Sequence, residues 1–297
     1  MRSTVRTTIY KSPEGEAQIL ELYDSFQKSL GVALDEQVVG TRFGATHVLV
    51  AGPVEGPPVV ITHGGNSIGP QGLRGLLPLL RQGRYRVYAP DTLGHPGKSA
   101  PVRLSPRDQS YGQWLDDLLD GLGLDSAAFV GGSFGAGIIL RLAAFAPWRI
   151  TKMALFVPSG IVAVPLASML FRITLPYLLY LLFPSPRRLR RAVRWMGSDI
   201  DDDLLQLIEA VFQHVRVEAE MPRPATKAEL AGCTAPTLVI AAEEDAMFPG
   251  RAVTERAREI FANLAVVECL KGATHLSTQS DMDHVNQRIG EFLEATY

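Results

Sequence analysis

The run Gly131-Gly132-Ser133-Phe134-Gly135 sets a hydroxyl among glycines, directly after an apolar stretch and directly before a helical one. It fits G-x-S-x-G, in which the serine occupies a sharp strand-to-helix turn and its Oγ stands clear of the sheet. Small residues two before and two after the serine are needed because strand and helix backbones pass close together there. A helix beginning at that turn also offers unpaired N–H groups and a dipole that favour negative charge. The chemistry implied is nucleophilic attack, and a serine hydroxyl attacks only when a base takes its proton. Of the six histidines, His275 in KGATHLSTQSD lies after the serine at the carboxyl end of a late strand, where open parallel sheets gather their functional loops. Glu243, Glu244 and Asp245 follow the apolar run of PTLVIAAEED. Asp245 is the preferred orienting acid, since it stands furthest beyond the strand and MFP closes it off; Glu244 is the alternative. Both give the chain order serine, acid, histidine.

Two phosphate-binding readings fail on spacing. GHPGKS at residues 94–99 ends like a P-loop, but the full pattern needs glycine at position 92, where this chain has Thr92. A dinucleotide G-x-G-x-x-G would have to run through Gly135 and Gly137, and Leu140 stands where its third glycine belongs.

The elements that position these residues are legible as alternating patterns. Ile19, Tyr23, Phe26 and Leu30 recur at helical spacing over residues 16–30, ending near Gly31. QVVGTRF and THVLVAG predict an antiparallel hairpin. From VVITHGG onward, short β-branched runs alternate with helical stretches: YRVYAPD and SYGQWLDDLLDGL, AAFVGGS and AGIILRLAAFA, KMALFVPSG, PTLVIAAEED and RAVTERAREIF. AVVECL and a final helix carrying Val285, Ile289, Phe292 and Leu293 complete the series. Such alternation predicts an α/β fold, a mostly parallel doubly wound sheet covered by helices on both faces. Residues 161–225 interrupt it without a strand pattern. The expected division is therefore a core of residues 1–160 and 226–297 with a helical cap of residues 161–225.

Composition narrows the classes. With 46% hydrophobic and 20% charged residues and a net charge of -2, the chain of 297 residues has a globular composition and no nucleic-acid footprint. Cys233 and Cys269 lack metal or redox spacing and are expected as buried thiols in a reducing, cytoplasmic compartment. The first residues carry no apolar core of signal-peptide length. The apolar stretch of residues 161–183 is broken by Pro165, Arg172 and Pro176, so it predicts helices over a greasy site and no stable membrane insertion. Arg187, Arg188, Arg190, Arg191 and Arg194 form a basic cluster, which Asp199, Asp201, Asp202 and Asp203 are placed to neutralise.

Taken in order, HGGN, DTLGHPGKS, GGSFG, EEDAMFP and GATH resemble the α/β-hydrolase superfamily from about residue 59 to the C-terminus. The resemblance implies an oxyanion hole from the backbone N–H groups of Gly65 and Phe134. Asn66 is a candidate to assist it or to cap the following turn, and His63 is expected to be a structural hydrogen-bonding residue. Asp91 is expected to hold its loop, whose His95-Pro96 pair departs from the family pattern. Ser133 separates the chain from branches with an aspartate nucleophile. The reaction implied is hydrolysis of a small-molecule carboxylic ester through an acyl-enzyme, with thioesters, lactones and carbon–carbon bonds as alternatives and with no cofactor or metal. Met169, Phe171 and Tyr177 in the cap are candidates to line a lipophilic substrate pocket. A catalytically silent small-molecule-binding protein is the reading from another class, a membrane-interface lipase is a third, and a homodimer is left open.

Overall fold

A computed structural model describes residues 8–197 and 200–296. The chain starts with α1 (Pro13–Ser29) and the hairpin β1 (Asp35–Thr41) and β2 (Gly44–Ala51). There follow β3 (Pro58–Thr62), α2 (Gly69–Arg74), α3 (Leu77–Arg81), β4 (Arg86–Pro90), α4 (Ser110–Leu122), β5 (Ala127–Gly132), α5 (Phe134–Phe145) and β6 (Ile150–Phe156). A helical insertion comes next, with a π-helical stretch (Ser168–Thr174), α6 (Leu175–Leu182), α7 (Pro186–Val193) and α8 (Asp202–His214). The sheet then resumes with β7 (Thr237–Ala242), α9 (Gly250–Ile260), β8 (Leu264–Leu270) and α10 (Gln279–Glu294).

The eight strands form one sheet in the order β1-β2-β4-β3-β5-β6-β7-β8. β1 and β2 pair antiparallel, as do β2 and β4, and every later pair is parallel. Alternation along β5 shows how the core is divided: Ala127 and Phe129 face α4, α5 and α9, while Ala128 and Val130 face α1, α2, α3 and α10. This is the mostly parallel, doubly wound sheet that the alternating pattern predicts. Its central strand β5 runs, buried throughout, straight into the Ser133 turn.

α1 starts earlier than hydrophobic spacing predicts. Ser12 Oγ accepts the Gly15 N–H at 3.1 Å and Pro13 occupies the first turn, so capping chemistry extends the helix beyond its apolar face. The helix braces the hairpin edge of the sheet. Tyr23 shares a buried hydrogen bond of 3.3 Å with His47 on β2, whose ring nitrogens also meet Asp91 Oδ2 at 3.1 Å and Glu36 Oε2 at 2.9 Å. Burial works against a charge on His47, but the hydrogen bonds and charges of Asp91 and Glu36 outweigh it and raise its pKa. A raised folded-state pKa contributes stability that is complete below the unfolded value and lost as pH rises through the folded one. The parent's stability advantage over His47→Gln in urea unfolding should therefore shrink as pH rises from about 6 to about 9. An advantage that stays constant over that range would show that folding leaves the His47 pKa unchanged.

The insertion leaves and re-enters the core through a narrow neck: Ala225 N–H donates to Gly160 O at 2.7 Å. Its α8 packs on α1, and Tyr180 of α6 is buried against Leu189, Ala192 and Val193 of α7. Of the two cysteines, Cys233 is buried and Cys269 is exposed. The expectation of two buried thiols fails for Cys269 because β8 is the outermost strand of the sheet.

Candidate active site

At the β5–α5 junction Ser133 has φ 51° and ψ -119°, a conformation that a residue with a side chain adopts only when its surroundings impose it. Those surroundings are specific. Ser133 N–H donates to Phe156 O at 3.1 Å, and its carbonyl accepts from Ser159 N at 3.2 Å and Ser159 Oγ at 2.9 Å. The flanking glycines permit the close approach. A Cβ on Gly131 would stand 2.9 Å from Ala136 N, and one on Gly135 would stand 2.3 Å from the Thr62 carbonyl oxygen. The backbone of Ser133 is thus fully engaged, leaving its half-buried hydroxyl to react.

The hydroxyl lies 2.9 Å from His275 Nε2, and His275 Nδ1 lies 2.7 Å from Asp245 Oδ2. The loops after β7 and β8 bring the acid and the imidazole together at the carboxyl end of the sheet. Asp245 is buried, and its Oδ1 accepts from Met247 N at 2.7 Å and Phe248 N at 3.1 Å. MFP therefore points the carboxylate back, as the turn in the sequence suggests. Glu243 accepts instead from Gly272 N at 2.8 Å, and the Glu244 side chain is exposed. With the Asp245 carboxylate accepting at Nδ1–H, Nε2 is left as an acceptor for the serine proton. Rings of Trp195 and Phe248, at 5.6 and 5.8 Å, flank the imidazole and give it apolar walls. Trp195 had no sequence signal, because it comes from the insertion and only packing on the core brings it to His275.

The loop after β3 lies against this turn. A Cβ on Gly64 would come 3.9 Å from Ser133 Cβ, and one on Gly65 3.2 Å from Phe134 Cβ. The N–H groups of Gly65 and Phe134 take no hydrogen-bond partner among the described residues. Two buried histidines shape the loop. His63 Nε2 accepts from Thr92 N at 2.9 Å, which leaves Nδ1 to donate to Gly64 O at 2.8 Å. His95 Nδ1 accepts from Asn66 N at 2.8 Å. Burial lowers the pKa of both rings, that of His95 strongly. Asp91 accepts from the backbone N–H groups of Gly69 at 3.1 Å and Lys98 at 2.9 Å. The His95 contact, which the departure at His95-Pro96 left open, is thus a support of the loop and had no other signal in the sequence.

Some expected positions are occupied differently. The Asn66 amide neither assists an oxyanion nor caps its turn: Oδ1 accepts from Glu218 N at 2.7 Å and Nδ2 donates to Glu218 O at 2.9 Å. It fastens the segment after α8 to the loop instead. Phe171 is 64% exposed and faces solvent, so it lines no pocket here. Met169 is half-buried, and Tyr177 is half-buried with its ring 4.7 Å from that of Phe212 on α8. The following helix α6 likewise buries Pro176 and Tyr180 and turns its leucines outward. Among the described residues the arginine cluster is only partly neutralised by its neighbours. Asp202 meets Arg190 at 3.4 Å, whereas Asp201 and Asp203 meet Arg74 at 3.2 and 3.8 Å. Asp199 lies outside the described residues.

Among the described residues no group of three or more His, Cys, Asp or Glu side chains is arranged to hold a metal ion, and no helix is long and apolar enough to cross a membrane. The sequence profile of the Alpha/beta hydrolase family matches residues 59–287. The chain is 26% identical to carboxylesterase YbfK of Bacillus subtilis (strain 168) over 287 residues, covering 92% of this chain and 94% of that protein. It is 24% identical over 297 residues to the uncharacterized carboxylesterase nap of the same organism, covering 95% of each. Its fold is similar to that of naproxen esterase (carboxylesterase NP) from Bacillus subtilis, with a TM-score of 0.80, 22% identity and coverage of 96% and 100% of the two chains.

Proposed function

The chain belongs to the alpha/beta hydrolase family, and on that premise we propose that it is a serine hydrolase cleaving carboxylic esters of small, lipophilic molecules. The observation that carries this reading is the continuous line Ser133 Oγ, His275 Nε2, His275 Nδ1, Asp245 Oδ2, with contacts of 2.9 and 2.7 Å. The names of the full-length relatives, both carboxylesterases, favour an ester as the scissile group. Trp195 and Phe248 beside His275 favour an apolar substrate.

In this mechanism Ser133 Oγ attacks the ester carbonyl carbon while its proton passes to His275 Nε2. The carbonyl oxygen gains charge and accepts from Gly65 N–H and Phe134 N–H, donors that contribute on the order of 3 kcal/mol each to a tetrahedral intermediate. His275 then gives the proton to the departing alkoxide, the carbon–oxygen bond breaks, and an acyl group remains on Ser133. Water, deprotonated by the same nitrogen, attacks the acyl carbon, and the proton returns to Ser133 as the acid leaves. Asp245 holds the tautomer and stabilises the imidazolium throughout.

A p-nitrophenyl ester series from acetate to long acyl chains tests the reading, together with mass analysis after treatment with an alkyl fluorophosphonate. Turnover with an optimum longer than acetate and a stoichiometric adduct on Ser133 are expected. Absence of turnover across the series with Ser133 unlabelled would sink the serine-hydrolase reading. A flat profile would remove only its lipophilic part.

A further inference from the structure

The outward face of the insertion combines two features that neither the ester chemistry nor the core requires. Leu175, Leu178, Leu179 and Leu182 follow one another at i, i+3, i+4 and i+7 on α6, and all four are exposed. This is the spacing of a helix face made to be covered. Leu170 and Phe171 carry the stripe back into the π-helical stretch, and Phe183, 58% exposed, ends it. The ridge from Phe171 to Leu182 is roughly 15 Å long. Contiguous apolar surface of this extent marks an interaction site, whereas single exposed leucines need no explanation.

Positive charge begins where the ridge ends. Arg188 of α7 stacks on the Phe183 ring, its guanidinium carbon 5.3 Å from the centroid, and donates to the Phe183 carbonyl at 3.1 Å. Arg187, Arg188, Arg190, Arg191 and Arg194 are all exposed, and α7 buries only Leu189, Ala192 and Val193. Arg172 adds a further exposed cation inside the π-helical stretch. Of the acidic residues that follow, Asp201 and Asp203 face Arg74 instead. Among the described residues one ion pair lies within the cluster, Arg190 with Asp202 at 3.4 Å; it is exposed on both sides and contributes little.

We infer that this face docks the protein on an anionic phospholipid surface, the leucine ridge entering the boundary between headgroups and acyl chains and the arginines of α7 meeting phosphates. An apolar stripe flanked by arginines has the two components of interfacial attachment, and neither alone holds a protein firmly at a membrane. A second copy of the chain fits the face less well. A two-fold interface across the ridge would bring two arginine helices into one neighbourhood and set like charges together. The docking face is also joined to the candidate site. Just beyond α7 comes Trp195, beside the His275 ring, and Leu276 N–H donates to Met196 O at 2.6 Å. A docked protein would hold its candidate nucleophile near the lipid boundary.

Vesicle flotation of the full chain tests this, with phosphatidylcholine vesicles compared with vesicles containing phosphatidylglycerol. Binding to the anionic vesicles, and much weaker binding to the zwitterionic ones, is expected. Arg187→Gln/Arg191→Gln should weaken it by about thirtyfold, from the loss of two surface cations. Leu178→Gln/Leu182→Gln should weaken it by at least about tenfold. Far-ultraviolet circular dichroism and p-nitrophenyl acetate turnover should match the parent in both variants, because the four side chains are exposed. Failure to float with anionic vesicles, or unchanged binding in either variant, would overturn the proposal. So would a dimer in solution that Leu178→Gln/Leu182→Gln dissociates, which would assign the face to a second copy. Vesicle binding is read without turnover, so the docking and the ester chemistry fail separately.

Discussion

Ser133→Ala should lower kcat for p-nitrophenyl esters by roughly 10⁵- to 10⁶-fold, the loss found when the serine of such a relay is removed. Alanine keeps the backbone interactions that hold the turn, since the Ser133 N–H bond to Phe156 and the two bonds from Ser159 to the Ser133 carbonyl do not involve Oγ. The variant should therefore unfold at nearly the parent's urea concentration, and the kinetic loss can be assigned to chemistry. Residual turnover should not vanish altogether, because the N–H groups of Gly65 and Phe134 would still polarise the carbonyl, as such donors do in other hydrolases. The measurement is steady-state turnover on enzyme purified separately for each variant. A decrease of less than about 10²-fold would mean that Ser133 is not the nucleophile.

Asp245→Asn should cost about 10⁴-fold in kcat while leaving the fold intact. The size follows from how the carboxylate is held. Oδ1 accepts from Met247 N–H and Phe248 N–H, and an asparagine carbonyl oxygen would keep both bonds. Its NH₂ group would then be turned towards His275 Nδ1, which could meet a donor only by giving up its own proton. The proton would move to Nε2, facing Ser133 Oγ, where a base is needed. The wrong tautomer disables the relay without moving an atom far. Glu244→Gln is the control that decides between the neighbouring acids: its side chain is exposed, and kcat should stay within about twofold of the parent, as for surface changes away from such features. If Glu244→Gln carried the large loss instead, the orienting role would belong to Glu244.

Much of this arrangement was readable from sequence because it is local or periodic. The Ser133 turn, the strand ends before Asp245 and His275, and the alternation of buried strands with helices each leave a signature within a few residues. What was not readable depends on contacts between distant segments. Asn66 and Glu218, or His95 and Asn66, meet only after folding, and neither pair has a spacing rule. The insertion was misread for another reason. A hydrophobic stripe records that a face is to be covered, but it carries no information on whether the cover is the same chain. Leu178 and Leu182 therefore read like residues over a site and turn out to face outward. Charge pairing fails similarly, since Asp201 stands close to the arginines in sequence but closer to Arg74 in space.

The neck of the insertion also bears on how the fold could be recombined. On the way out, Ser159 clamps the Ser133 carbonyl; on the way back, Glu218 is tied to Asn66 and Ala225 closes on Gly160. Everything between these welds is a cassette whose two ends are already fixed to the floor of the candidate site. A chimaera spliced inside the pair Ser159 and Glu218 could exchange the whole roof, and with it the surface the protein meets, while inheriting an intact floor. A splice placed outside them would exchange the welds too, and would ask a foreign chain to hold a strained serine turn it was never selected to support.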